Sequence, residues 1–256
     1  MEIVVISLFP DMIRGAAAYG VTGRALDKTG VSLVCVTPRD YTADNYQTVD
    51  DRPYGGGPGM VLKVEPMAAA IRAAKQNLPA GSQVIFLSPQ GRLFDQSVAQ
   101  QLAELPGMVL VAGRYEGFDE RLIESFADDQ LSLGDFVISG GELAAAVVID
   151  AVLRLLPGVL GHEMSAQQDS FSDGLLDCPH YTRPEEVDGR RVPQVLIEGN
   201  HAAIRRWRLK EALGRTWLRR PDLLEQRMLT DEEIRLLNEY KSEHECTGNS
   251  HNANSS

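Results

Sequence analysis

Between Gln83 and Leu156 the chain repeats one local pattern three times: a short apolar run, a glycine-bearing loop, then a helix-forming stretch. Gln83–Leu87 leads into Ser88-Pro-Gln-Gly91 and a helix over Asp95–Leu105. Met108–Ala112 leads into Gly113-Arg-Tyr-Glu-Gly117 and a helix over Asp119–Phe126. In Leu131–Glu142 the apolar Phe136, Val137 and Ile138 read as a strand, Gly140 and Gly141 as its turn, and Glu142–Leu156 as the helix. Strands that alternate with helices build a mostly parallel sheet, because each crossover returns the chain to the same edge direction. In such sheets ligands bind at the carboxyl ends of the strands. The fold class expected is therefore α/β, with one cleft walled by Ser88–Gly91, Gly113–Gly117 and Ser132–Gly141. Taken alone, the third unit reads better as an ordinary strand-to-helix connection, and it is the repetition that decides in favour of a cleft.

Upstream, Ile3–Leu8 and Val31–Thr37 read as strands around a helical segment that contains Thr22–Lys28, and Glu65–Asn77 as an alanine-rich helix. No Gly-x-Gly-x-x-Gly follows the first strand, which counts against a Rossmann dinucleotide site. Thr48–Met60 holds Arg52-Pro-Tyr-Gly-Gly-Gly-Pro-Gly59 without the Gly-Lys-Ser/Thr ending of a P-loop, and its mix of prolines and charges suggests a shaped binding loop. The three cysteines lie far apart with no Cys-x-x-Cys pair, so neither a disulfide framework nor a zinc cluster is expected. Met1–Phe9 is short, with Glu2 where a signal peptide carries a basic residue, and Leu143–Leu160 is broken by Asp150, Arg154 and Pro157. A cytoplasmic protein with no membrane partner is expected.

Past Pro157 the character changes. Gly158–Cys178 lacks periodicity and reads as a functional loop. The net charge of -11 argues against indiscriminate nucleic-acid binding, yet between His201 and Arg220 seven basic residues face one acid, Glu211, with Trp207 and Trp217 interleaved. The alternative for this segment is a solvated helix face with inward tryptophans. Asn200 caps a helix expected to stop at Gly214, and Thr230-Asp-Glu-Glu233 is a capping box for a last helix to about Glu243. The division expected is a first domain over 1–160, an interdomain loop over 161–170, a helical domain over 171–245 and a disordered tail over 246–256.

Several chemistries can be set aside. His162-Glu-Met-Ser-Ala lacks the second histidine of a zinc protease, no Gly-x-Ser-x-Gly elbow exists, and Cys178 and His180 diverge across Pro179, which disfavours a nucleophile pair. A resemblance remains. The Arg52–Gly59, Leu87–Gly91, Gly113–Gly117 and Gly134–Glu142 loops, with Pro157-Gly-Val-Leu-Gly161, Leu176-Asp-Cys-Pro-His-Tyr-Thr-Arg-Pro184, Gly199-Asn-His201 and Arg205-Arg-Trp-Arg208, resemble those of the bacterial tRNA (guanine-N1)-methyltransferases. That family belongs to the knotted SPOUT-type superfamily, and the likeness runs in order from Ile6 to about His244. Ala144 departs from it, standing where the family has proline.

The resemblance implies transfer of a methyl group from S-adenosyl-methionine to N1 of guanine 37 of tRNA, a deep trefoil knot, a homodimer whose active site is composed between subunits, and a small helical C-terminal domain that holds tRNA. It assigns Asp169 as general base and Arg154 as the group that stabilises charge on guanine O6. N1 of neutral guanine holds its proton tightly, so a base is wanted. The cofactor is expected on Leu87, Ser88 and Pro89, on Gly113, Tyr115, Glu116 and Gly117, and on Ser132, Leu133, Gly134, Asp135, Phe136, Val137, Ile138, Gly140 and Gly141. The RNA is expected on Asp50, Pro58, Gly59, Ser165, Ser170, His180, Arg183, Arg205 and Arg208. No metal ligand set is certain, although Glu116 could take Mg²⁺. The bland readings stay open: Arg154 pairing with Asp150 one turn earlier, and Asp169 as a turn or cap residue. So do two other functions, a non-catalytic RNA-binding protein of this fold and a knotted methyltransferase acting elsewhere on RNA.

Overall fold

A computed structural model describes residues 1–160 and 169–252. The chain falls into two compact units, Met1–Glu163 and Met164–Ser256. The first is built on a five-stranded sheet of order β2-β1-β6-β5-β7. Its strands are β1 (Glu2–Ile6), β2 (Ser32–Val36), β5 (Gln83–Leu93), β6 (Gly107–Ala112) and β7 (Asp129–Ser132), every pairing parallel. A two-residue hairpin of β3 (Asp50–Asp51) and β4 (Val61–Leu62) stands apart. The helices are α1 (Pro10–Ala17), α2 (Gly20–Lys28), α3 (Val64–Gln76), α4 (Gln96–Ala103), α5 (Glu120–Phe126) and α6 (Gly141–Leu153).

Why these runs are strands is visible in their burial. Successive side chains of a strand point to opposite faces, so a sheet covered on both faces needs apolar residues at every position. All six residues of β6 are buried. Met108 and Leu110 join one core, with Ile3, Val5, Ile85 and Leu87 of the sheet and the apolar residues of α6. Val109 and Val111 join the other, with Val4, Ile6, Val84 and Phe86 and the face of α3 that carries Met67, Ala70 and Ile71. The apolar α6 thus underlies the sheet, with Val148, Ile149, Val152 and Leu153 all buried.

Two expectations about the repeats are corrected. Strand β5 does not stop at Leu87 but runs to Leu93, and residues 88–91 leave its ladder as a bulge: Leu131 of β7 is the partner of both Leu87 and Arg92. Gly91 permits this, because a Cβ there would lie 2.4 Å from the Gln130 carbonyl carbon. The strand expected at Phe136–Ile138 is absent. The strand of that segment is Asp129–Ser132, after which Gly134 takes a φ of 149° and accepts a hydrogen bond from the Phe136 amide. Phe136 and Val137 are 57% and 88% exposed, so their apolar character does not come from the sheet.

The second unit contains the hairpin β8 (Glu186–Val187) and β9 (Arg190–Arg191), then α7 (His201–Arg219), α8 (Pro221–Glu225) and α9 (Asp231–Asn252). Asn200 caps α7 as expected, its Oδ1 accepting from the amides of Ala202 and Ala203. The capping box also forms: the Glu233 amide donates to Thr230 Oγ1, and the Thr230 amide donates to Glu233 Oε2. Gly214 does not end α7. A Cβ at Gly214 would fall 2.3 Å from the Tyr240 ring, so the glycine serves the close approach of α7 and α9. Helix α9 continues past Glu243 to Asn252 where a disordered tail was expected; no proline interrupts that stretch, and only residues 253–256 of the tail lie outside the described residues. Leu213, Leu236, Leu237 and Leu175 form the core of this unit, with Trp217 packed against it. Among the described residues no helix is long and apolar enough to cross a membrane.

Candidate active site

The bulge of β5 and the carboxyl ends of β6 and β7 enclose a cavity of about 360 Å³. Its walls come from the three glycine-bearing segments. Leu87, Ser88 and Pro89 of the bulge form one wall, and Gly113, Tyr115, Glu116 and Gly117 form the second. Ser132, Leu133, Gly134, Phe136, Val137, Ile138, Gly140 and Gly141 form the third. Asp135 is the one expected cofactor residue that does not line it. Ala144, fourth in α6, also reaches the wall, which places the departure from the family pattern at the cavity itself.

Glycine is required here by space. A Cβ on Gly141 would sit 2.7 Å from Ala112 Cα, and the Gly141 amide donates to the Gly113 carbonyl at 2.8 Å. A Cβ on Gly140 would meet the Arg114 side chain at 2.2 Å. Tyr115 takes a φ of 60°, a costly conformation for a side chain of its size, and it does so on the cavity wall.

Two residues that sequence reasoning passed over hold this wall. Glu142 is 1% exposed, and its carboxylate accepts from Arg114 Nε at 2.8 Å and from Ser7 Oγ at 2.9 Å. Arg114 also donates to the Ser139 carbonyl at 3.1 Å and lies 4.6 Å from the centre of the Phe9 ring. A buried carboxylate without such partners would cost several kcal/mol. The pair therefore ties the Gly113–Gly117 loop to the Ser139–Gly141 turn and to the end of β1. An acid directly after Gly-Gly and an arginine inside a glycine loop were the available signals; their pairing across 28 positions was not.

The Arg52–Gly59 loop reaches this cavity from outside. The Glu116 amide donates to the Met60 carbonyl at 2.9 Å, and a Cβ on Gly59 would lie 2.3 Å from Glu116 Oε1. Gly59, expected on RNA, is thus brought against Glu116, expected on the cofactor. Pro58 is exposed and Asp50, in β3, half-buried. Glu116 belongs to no group of three or more metal-ligating side chains among the described residues, and one carboxylate does not define a Mg²⁺ site.

The second unit has its own cavity, of about 400 Å³, lined by Asp169, His180, Arg205 and Arg208 among others. Four residues expected in catalysis or RNA binding therefore meet in one place. The Asp177 amide donates to Ser170 Oγ at 2.9 Å, which ties the Asp169 loop to the Cys178–His180 turn. His180 Nε2 lies 2.8 Å from Asp177 Oδ2. Burial alone would raise the Asp177 pKa, but the hydrogen bonds from His180 and from the Cys178 amide outweigh it and hold the carboxyl below its ordinary value. Burial, with the nearby Asp177 charge, pushes the Cys178 thiol up to about 11, which agrees with setting it aside as a nucleophile. Arg183 precedes a cis proline and does not line the cavity.

On α7 the basic residues divide. Arg206 and Lys210 pair with Glu239 and Glu243 of α9, while Arg205 and Arg208 face the cavity. Trp217 packs inward, and Trp207 lies 6.3 Å from the Tyr181 ring. The solvated-face reading thus holds for part of the helix only. Arg154 is the half-buried C-cap residue of α6 in the first unit. The Asp150 carboxylate, its suggested partner, accepts from Thr22 Oγ1 at 2.8 Å. Ser165 lies outside the described residues, as does most of the expected interdomain loop.

Comparison with known proteins gives the same answer along nearly the whole chain. The family described as tRNA (Guanine-1)-methyltransferase TrmD matches residues 1–226. A tRNA (guanine-N(1)-)-methyltransferase of Methylococcus capsulatus is 61% identical over 249 residues, 97% of this chain and 99% of the relative. Its namesake from Serratia proteamaculans is 59% identical over 245 residues, 96% of each chain. That of Escherichia coli O139:H28 is 59% identical over 244 residues, 95% of this chain and 96% of its own. With its three glycine loops gathered around one cavity, this chain belongs to the tRNA (guanine-1)-methyltransferase family.

Proposed function

We propose that the protein methylates N1 of guanine 37 in tRNA, next to the anticodon, with Asp169 as general base and Arg154 stabilising the charge that grows on O6. What carries this assignment is the cavity formed by the three family loops at the bulge of β5 and the carboxyl ends of β6 and β7. Its volume suits a small ligand, and its walls combine apolar side chains with backbone groups. The one arginine on the wall is paired with Glu142, so the cavity favours a nucleoside without phosphates. S-adenosyl-methionine fits that description and supplies the methyl group. Leu87, Leu133 and Ile138 would pack against its base, and the glycine-rich backbone of Gly113–Gly117 and Gly134–Gly141 would hold its polar atoms.

The chain's own residues have the remaining work. Asp169 takes the N1 proton, so that the ring nitrogen attacks as a nucleophile with its lone pair available. Removing that proton places negative charge on O6, and the Arg154 guanidinium offsets it. Arg205, Arg208 and His180 line the same cavity as Asp169 and supply the donors that an RNA backbone requires. Asp50, Pro58, Gly59, Ser165, Ser170 and Arg183 complete the RNA surface in this reading.

The deep knot is part of the same proposal. Its support is the route of the chain: from β6 it crosses to β7 on the far side of β5, then returns so that Gly141 bonds to Gly113 at the end of β6. A homodimer with a composite site is supported by Phe136, Val137 and Leu143, exposed apolar residues beside the cavity that a second copy would cover. Residues 171–245 form the helical RNA-binding part. The test is methyl transfer from labelled S-adenosyl-methionine to a tRNA transcript and to one in which guanine 37 is replaced. Transfer confined to the first is the expected result, and equal transfer to both would overturn the site assignment.

A further inference from the structure

The turn Asp177–His180 gathers three different metal-ligating side chains within four residues of a tightly held backbone. An Asp177 carboxylate oxygen, Cys178 Sγ and a His180 ring nitrogen lie within 4.8 Å of one another. A tetrahedral Zn²⁺ with ligands at about 2.0 to 2.3 Å spaces its donors about 3.3 to 3.8 Å apart, so small side-chain rotations bring all three into its shell. The backbone that carries them is fixed from two sides. The Leu176 amide donates to Thr216 Oγ1 at 2.9 Å, and the Asp177 amide donates to Ser170 Oγ at 2.9 Å. Pro179 limits the one residue between Cys178 and His180.

We infer that Asp177, Cys178 and His180 form a binding site for a zinc-type divalent cation, with the fourth position open to the cavity of the second unit. The donor set is one hard oxygen, one imidazole nitrogen and one soft sulfur, the mixture that selects zinc-type ions over Mg²⁺. Charge is consistent with occupancy beside Arg205 and Arg208. The carboxylate and the thiolate together cancel the two positive charges of the ion, so the loaded site is neutral and does not repel the arginines. The cavity of about 400 Å³ leaves room for a water as fourth ligand. Binding forms a metal–sulfur bond and breaks the Cys178 S–H bond. The proton passes to solvent, and no electrons are transferred. The Asp177–His180 hydrogen bond is exchanged for two metal bonds.

The test uses the full chain, freed of metal and titrated with Co²⁺, whose bond to a thiolate gives a charge-transfer absorption. The expected result is one Co²⁺ per chain with that absorption, displaced by Zn²⁺. Cys178→Ser should remove the absorption, and Cys35→Ala should leave it unchanged. His180→Gln changes a side chain that is 72% exposed, so folding is preserved, and should weaken Co²⁺ binding at least about tenfold. Absence of stoichiometric binding, an absorption that survives Cys178→Ser, or unchanged affinity in His180→Gln would each overturn the inference.

Discussion

The two cavities differ in what their walls are made of. In the first unit the ligand space is bounded by glycine-rich backbone and apolar side chains, and its one salt bridge, Arg114 with Glu142, is spent on holding the walls together. In the second, carboxylates, arginines and a histidine face the space directly. The first wall cannot change without moving backbone, which suits a compact ligand of fixed shape. The second is made of side chains with rotamer freedom, which suits an extended, charged partner whose shape varies. In the proposed reading, recognition of the nucleoside and recognition of the polyanion fall to different materials.

That contrast can be broken experimentally. The largest effect expected is in the second cavity: Asp169→Ala should lower single-turnover methyl transfer by about 10² to 10⁴ while calorimetry shows unchanged affinity for S-adenosyl-methionine. A parallel loss of cofactor affinity would merge the two cavities into one function. Next comes the wall of the first. Glu142→Gln leaves Arg114, 18% exposed, facing a neutral amide, and should destabilise the fold by about 3 kcal/mol in urea titration, the low end for a broken buried pair. Stability within experimental error of wild type would show the pair to be dispensable.

A smaller change is expected from Gly141→Ala. Its Cβ meets Ala112 Cα at 2.7 Å, so backbone must shift, and about 1 to 3 kcal/mol should appear as weaker cofactor binding with RNA affinity retained. Asn200→Ala removes the cap of α7 and should cost about 1 kcal/mol of the second unit's stability, leaving cofactor affinity untouched. The smallest concerns acid. Burial would raise the Glu233 pKa, but hydrogen bonds from Thr230 and the charge of Arg227 outweigh it and lower it. A carboxylate depressed in the folded state stabilises above its unfolded value, about 4.3, and that contribution is lost as pH falls through the folded value. Glu233→Gln should therefore flatten the acid limb of the stability curve below about pH 4, as followed by circular dichroism.

How much of this was legible in sequence follows from which interactions are local. Strands buried on both faces, such as Met108–Ala112, show as unbroken apolar runs. Caps such as Asn200 and Thr230 bond within three residues of themselves. Fifteen of the sixteen residues expected on the cofactor line one cavity, because glycine loops at strand ends mark where backbone meets ligand; Asp135 does not line it, because neighbours on a turn need not face the same way. Phe136–Ile138 was misread since an apolar run looks the same in sequence whether it lies in a sheet or stands exposed. Gly214 was misread because a glycine that ends a helix and one that admits a neighbouring ring are the same letter. The Arg114–Glu142–Ser7 contacts were invisible, being set by strand order and not by spacing.

The double partnership of Leu131 has one more consequence. Because it pairs with Leu87 and again with Arg92, residues 88–91 are a loop of slack tied off at both ends against the same residue. A ligand that draws this slack inward pulls on two rungs of an edge strand at once, so occupancy of the cavity and fraying of β7 become opposed events. The amides from Leu131 onward should exchange their hydrogens more slowly when the cavity is filled, which makes the rim of the sheet a built-in gauge of ligand binding.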